Sequence, residues 1–257
     1  MKYGKRCGKI RKNAKDKAKL INHIDFSNYK YILFDLDATL LPFDQKEMSR
    51  VFFQSAHDYE ADNDIKGFAD AFSYAFAEMK LNNGSCLNKA VFDKCFREKL
   101  DHPDIDTLMD DFYTTSFTVT RSVVRYRGTE KAMIHRLRNT GRKVICATNP
   151  VFPMSATVTR MAWSDLSPED FDFVTLHTDS TFCKPKAEYF LEILARYEAA
   201  PEETIMIGND TLDDLGAVSA GIRTVLIDDY LINRGDIDLN STERISYADF
   251  LKSVNSL

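Results

Sequence analysis

Two hydrophobic periods divide this chain. Short, nearly continuous apolar runs end in an acid, a Thr or a Gly, and longer stretches repeat their apolar residues every third or fourth position. The first short run is Tyr29-Lys-Tyr-Ile-Leu-Phe-Asp35, aromatic and β-branched residues leading straight into an acid. It predicts a buried strand ending at Asp35. Residues 38–44, Ala-Thr-Leu-Leu-Pro-Phe-Asp, hold a proline and read as a turn leading away. From about 45 to 120 the period is helical. Phe68, Ala71, Phe72, Ala75, Phe76 and Met79 step by threes and fours until Asn82-Asn83-Gly84 stops them. Leu87, Val91 and Cys95 predict a second helix, and Leu108, Met109, Phe112 and Tyr113 a third. Their apolar stripes read as the core of a small helical body.

Near residue 128 the pattern changes again. Gly128-Thr129 starts a helix with Thr129 as its N-cap, Ile134 and Leu137 facing inward and Gly141 ending it. Val144 to Thr148, Phe171 to Leu176, Thr204 to Gly208 and Arg223 to Ile227 predict strands. Between them lie a helix after Pro185, with Phe190, Leu194 and Tyr197 on one face, and another through Leu212, Leu215 and Val218 that ends at Gly221. Strands alternating with helices imply βαβ units and a parallel sheet. The expected fold is an α/β, doubly wound, Rossmann-like core with an all-helical block inserted after its first strand. The expected divisions are a basic arm over 1–24, the core over 25–43 and 127–257, and the helical cap over 44–126.

Composition changes this picture in three places. The 257 residues carry a net charge of −5, yet residues 1–20 hold nine Lys and Arg against one acid, Asp16, so the remainder is strongly acidic. The arm lacks the apolar segment of a secretory signal and reads as a solvated tail; it is the sole hint of a nucleic-acid partner, which is otherwise not expected. No apolar run is long enough for a membrane helix. The five cysteines, at 7, 86, 95, 146 and 183, form no CxxC pair, and the five histidines are isolated. Neither a disulfide framework nor a Cys/His zinc site is expected, which fits reduced thiols in the cytoplasm.

Ligands of parallel α/β sheets sit beyond the carboxyl ends of the strands. Four features fall there: Asp35 with Asp37, Thr148 with Asn149, Lys184 before Pro185, and Gly208-Asn209-Asp210 with Asp213 and Asp214. Two carboxylates at i and i+2 would repel unless a divalent cation and a lysine neutralised them. Acids after a Gly that follows an apolar strand are hard oxygen donors suited to Mg²⁺, or else the acid-rich start of a helix. Taken singly, Thr148 is a common strand residue and Lys184 a common surface residue.

In that order the four features resemble the motifs of the haloacid dehalogenase superfamily of phosphohydrolases. Asp35-Leu-Asp-Ala-Thr-Leu-Leu-Pro42, the run ending in Thr148-Asn149, Lys184-Pro185 and Ile207-Gly-Asn-Asp-Thr-Leu-Asp-Asp214 carry the resemblance. The helical block resembles the C1-type cap, and the stretch from Ala147-Thr-Asn-Pro-Val-Phe-Pro153 to Lys184-Pro185 resembles the phosphoglycolate-phosphatase-like branch. The resemblance implies Asp35 as the nucleophile that forms an aspartyl-phosphate, and Asp37 as the acid and then the base. It implies Thr148, Asn149 and Lys184 as holders of the phosphoryl group. It also implies Mg²⁺ on Asp35, the Asp37 carbonyl and a fourth-motif side chain. Where that motif usually has Asp after Gly, this chain has Asn209, so the ligand is Asp210 or Asn209, with Asp214 as the second acid of the set. Ala38 stands where Gly is common, acceptable if its φ is negative. Asp37 disfavours dehalogenation, because the resembling dehalogenases lack that acid. The expected activity is hydrolysis of a small phosphorylated metabolite by a monomer or homodimer; the alternatives are a phosphomutase or a non-catalytic regulatory protein using the basic arm. Arg121, Arg125, Lys80 and His57 are the cap residues available to an anionic substrate.

Overall fold

The computed structural model describes residues 20–234 and 237–257; the basic arm over residues 1–19 lies outside them. Strands β1 (Tyr31–Phe34), β2 (Lys143–Cys146), β3 (Phe173–Val174), β4 (Thr204–Gly208), β5 (Arg223–Ile227) and β6 (Arg244–Ile245) form one sheet. Its order is β3-β2-β1-β4-β5-β6 and every pairing is parallel. Period-two alternation sends neighbouring residues to opposite layers. Ile32 and Phe34 join Val144, Ile205 and Val225 under helices α5 (Glu130–Asn139) and α9 (Tyr247–Asn255). Leu33, Ile145 and Met206 pack on the other face against α7 (Ala187–Tyr197) and the single turn α8 (Gly216–Ser219). Residues 20–24, read from the sequence as part of the arm, run along this core. The Ile21 N–H donates to the Arg244 carbonyl at 2.8 Å, and buried Ile24 donates its N–H to Ser253 at 3.1 Å.

The inserted block contains α1 (Gln45–Asn63), α2 (Phe68–Lys80), α3 (Asn88–Lys99), α4 (Ile105–Thr114) and a 3₁₀ stretch, Ser116–Val123. Asp44 caps α1 by accepting the N–H groups of Lys46 and Glu47, both at 2.9 Å. A separate hydrophobic cluster fills the block, with Phe68, Phe72, Phe96 and Phe112 at its centre. It reaches the core through Val151, Ala156 and Cys183. Among the described residues no helix is long and apolar enough to cross a membrane.

Several local expectations differ from what forms. The strand expected from Phe171 to Leu176 shortens to Phe173–Val174 at the sheet edge. Thr129 occupies the N-cap position without capping: its hydroxyl meets the Tyr247 hydroxyl at 2.8 Å, and the Glu130 carboxylate takes the Thr129 N–H. The helix expected through Leu212 and Val218 contracts to α8, leaving those two side chains 46 % and 57 % exposed. Asp210 accepts the N–H groups of Leu212 and Asp213, so a side-chain turn replaces the first helical turn. Helix α6 (Met154–Ala162) was not among the expected elements.

Candidate active site

The sheet register builds the site. β1 lies between β2 and β4, with Phe34 opposite both Cys146 and Ile207. The residues after these three strand ends therefore converge. The Asp35 N–H donates to the Ile207 carbonyl at 2.9 Å and the Ala147 N–H to the Phe34 carbonyl at 2.7 Å. After Asp35 the chain folds tightly: the Leu41 N–H bonds the Leu36 carbonyl and the Ala38 N–H bonds the Leu41 carbonyl, both at 2.8 Å. This turn corrects the reading of Ala38. Its φ is +59°, not negative, so the methyl group carries the strain that Gly would avoid.

Lys184 is the centre of the charge arrangement. It is 3 % exposed and its Nζ donates to Asp35 Oδ1 at 2.9 Å and to Asp214 Oδ1 at 2.6 Å. Burial alone would lower its pKa, yet the carboxylates of Asp214 and Asp35 hold the ammonium well above its ordinary value. Burial, followed by the negative charges of Asp214 and Asp37, pushes the Asp35 carboxyl up against the pull of Lys184. Asp35 Oδ2 accepts no hydrogen bond among the described residues, and Asp35 lines the cavity.

The fourth motif is closed on itself. Asp214 Oδ2 accepts the N–H groups of Asn209 and Asp210 at 2.8 and 2.9 Å. A Cβ on Gly208 would collide with that carboxylate, and one on Gly216 would strike the Pro185 carbonyl, so both close approaches require Gly. With Oδ1 on Lys184 and Oδ2 on two N–H groups, Asp214 positions Lys184 and the turn. It borders the same cavity as the other residues expected to bind a metal. Asp210 Oδ1 holds the turn, and its Oδ2 pairs with Arg234 at 2.9 Å. Asn209 donates its Nδ2 to the Tyr230 carbonyl at 2.8 Å, which turns its Oδ1 to the Thr39 hydroxyl at 3.1 Å, beside the Asp37 turn.

On the other side, the Thr148 carbonyl accepts from Thr175 and Tyr189 at 2.7 and 2.8 Å. The Thr148 hydroxyl makes no hydrogen bond among the described residues, and the residue lines the cavity. Asn149 donates to Asp213 at 3.3 Å and leaves its buried Oδ1 without a partner among the described residues.

All eight expected site residues therefore border one cavity, Asp35, Asp37, Thr148, Asn149, Lys184, Asn209, Asp210 and Asp214. Two further residues were missed. Arg160 of α6 is buried, lies over the Phe152 ring at 4.0 Å and pairs with Asp37 Oδ2. Arg234 faces Asp210. Of the cap candidates, Lys80 lines the cavity, while Arg121, Arg125 and His57 are exposed elsewhere.

Five carboxylates border the cavity, Asp35, Asp37, Asp210, Asp213 and Asp214, against four cations, Lys80, Arg160, Lys184 and Arg234, so the site keeps an excess of negative charge that a bound cation would offset. Among the described residues no three His, Cys, Asp or Glu side chains group as a metal site. A cation would thus depend on mixed hard oxygens, carboxylate, backbone carbonyl and amide, a donor set that suits Mg²⁺.

Polar chemistry gathered at the carboxyl ends of a parallel sheet, beneath a helical cap, defines a capped α/β hydrolase. The family model described as haloacid dehalogenase-like hydrolase matches residues 32–227, and the chain belongs to that family. Ribulose-1,5-bisphosphate 5-phosphatase of Halopiger xanaduensis is 25 % identical over 207 residues, 77 % of this chain and 84 % of that one. Pyrophosphatase PpaX of Bacillus mycoides is 23 % identical over 200 residues, 76 % of this chain and 82 % of the other. A 2-haloacid dehalogenase structure from Pseudomonas syringae superposes with a TM-score of 0.56 at 20 % identity, covering 89 % and 98 % of the two chains. That last likeness is one of fold and does not choose the reaction.

Proposed function

We propose that this chain is a Mg²⁺-dependent phosphomonoesterase that works through an aspartyl-phosphate on Asp35. The observation that carries this reading is the buried Lys184 held between Asp35 and Asp214, with Asp35 lining the cavity and its Oδ2 not hydrogen-bonded among the described residues. Asp35 Oδ2 attacks phosphorus, and the bond to the alcohol oxygen breaks as Asp37 gives that oxygen a proton. Asp37 then takes a proton from water, whose oxygen attacks the phosphorus and releases phosphate from Asp35. Thr148 and Lys184 bind the phosphoryl oxygens, and Arg160 fixes the direction in which Asp37 points. Asp35, the Asp37 carbonyl and Asn209 Oδ1 would hold the cation; Asn209 ranks ahead of Asp210 because its Oδ1 accepts one hydroxyl, whereas Asp210 Oδ1 accepts two N–H groups and its Oδ2 pairs with Arg234. Bound there, Mg²⁺ supplies charge neutralisation for the phosphoryl group.

The acid at Asp37 favours phosphate esters over haloacids, and the two relatives above that match in sequence are named for a bisphosphate phosphatase and a pyrophosphatase. The test is phosphate release from a panel of phosphorylated metabolites with Mg²⁺ and with EDTA, for wild type and Asp35→Asn. Turnover that needs Mg²⁺ and falls at least about a thousandfold in the variant is expected. A fully folded protein that turns over no member of the panel would overturn the reading.

A further inference from the structure

The cavity above the carboxylates has a volume of about 310 Å³, at the small end of ligand pockets. Its floor is the polar cluster already described. Its roof is of the opposite character: Phe52 and Phe53 of α1, Phe76 of α2, Phe117 of the 3₁₀ stretch, and Phe152 beside α6. These rings already contact one another, Phe52 with Phe53 at 5.3 Å and Phe76 with Phe152 at 5.5 Å between centroids, both edge-on. Polar groups at the roof are few. Gln45 donates to Ser49 at 3.2 Å, so those two partly satisfy each other, and Lys80 lies 5.4 Å from the centre of the Phe76 ring. Arg160 and Arg234 are engaged by Asp37 and Asp210.

Resting on the phosphomonoesterase reading, we infer that the alcohol half of the substrate is an aromatic ring or similarly compact apolar group, carrying at most one further negative charge. A sugar or polyol would turn hydroxyls toward phenyl rings that cannot bond them, and such unpaired groups are costly when buried. A second phosphate would meet a single cation at the roof, Lys80. A ring in that space adds edge-to-face contacts to the existing aromatic cluster, and Lys80 at the rim can pair with one anionic substituent. This sets the chain apart from its relative named for a sugar bisphosphate.

Benzyl phosphate, glycerol 1-phosphate and fructose 1,6-bisphosphate test the inference, because all leave as alkoxides and differ little in intrinsic reactivity. The full chain with Mg²⁺ is expected to favour benzyl phosphate by at least about tenfold in kcat/KM. Phe53→Ala, at a half-exposed position, should narrow that ratio mainly through the KM for benzyl phosphate. Binding of benzyl and glycerol phosphates to Asp35→Asn, by calorimetry, reads the same preference without turnover. Faster turnover of glycerol phosphate or of the bisphosphate overturns the ring preference and leaves the phosphatase reading standing. Absent turnover with tighter binding of benzyl phosphate removes the phosphatase reading alone; absent turnover with equal binding removes both.

Discussion

Lys184 shows how tightly stability and chemistry are joined at single residues. Its ammonium neutralises two buried carboxylates at 2.9 and 2.6 Å. Removing one partner of a buried ionic cluster leaves charge without compensation and typically costs 3–5 kcal/mol. Lys184→Met is expected to lower the unfolding free energy by about 3 kcal/mol, read from urea denaturation, and to abolish turnover. Asp35→Asn removes one of the crowded negative charges and should lose activity at nearly unchanged stability; a variant as unstable as Lys184→Met would show that Asp35 is structural. Arg160 acts differently. It reaches Asp37 while lying over Phe152, so it sets the direction of the carboxylate. Arg160→Ala should lower kcat about ten- to a hundredfold with little change in KM, and Arg160→Lys, which keeps charge but not the planar fork, should recover part of it. Equal losses in all kinetic constants and in stability would make Arg160 a packing residue.

At the scale of elements, the cap is tied to the core away from its two chain connections. Asn88 at the start of α3 is fully buried, and its Nδ2 lies 3.2 Å from the carbonyls of both Pro150 and Phe182. Its Oδ1 accepts from Asn82 at 2.9 Å and its N–H donates to the Ser180 carbonyl at the same distance. Asn88→Ala strands several buried groups at once, so a loss of about 2 kcal/mol is expected, with faster amide exchange in residues 82–89 than elsewhere in the cap. Uniform exchange across the cap would refute this tie. None of it was legible in the sequence, where Asn88 is one polar residue among many. What was legible has a physical reason. β1, β4 and β5 are buried on both faces and so read as continuous apolar runs, and α2 packs one side in steps of three and four. The eight expected site residues were legible because most follow apolar strand runs and all match the order of the family's motifs, and the register of β1, β2 and β4 brings those strand ends to one edge. Helix α6 was hidden because its inward face mixes Ala156 and Met161 with Thr157 and Arg160, and Arg160 with it. The turn at 210–215 misled because side-chain carboxylates took the N–H groups that a helix would have used.

For the molecule as a whole, the contact between cap and core carries a pH dependence. His177 lies in the core loop after β3 and is buried, its Nδ1 without a partner among the described residues. The Lys89 N–H of α3 donates to the His177 carbonyl at 2.8 Å, and both residues border one hollow. Lys89 is itself paired with Asp93 at 2.5 Å and Asp106 at 2.8 Å, and Asp110 borders the same hollow. Burial and then the Lys89 charge push the His177 pKa down from 6.5 to about 4, with Asp106 opposing. The folded protein therefore binds a proton here less readily than the unfolded chain. This stability is present in full above about pH 6.5 and is lost as the pH falls toward about 4, in total about 3 kcal/mol. Other buried carboxyls add their own pH dependence, Asp170 and Asp172 with pKa values lowered below the ordinary carboxylate range and Asp35 with a raised one. The informative quantity is thus a difference. His177→Gln removes the titrating ring, so wild type should lose stability relative to the variant as pH falls from 7 to 4, measured by denaturation at each pH. Protonation would put a second cation beside Lys89 at the cap contact, so the acid-induced loss should appear first as faster amide exchange in 88–93 and 177–183. Stability curves for the two proteins that run parallel through this range would show that His177 is solvated and carries no such penalty.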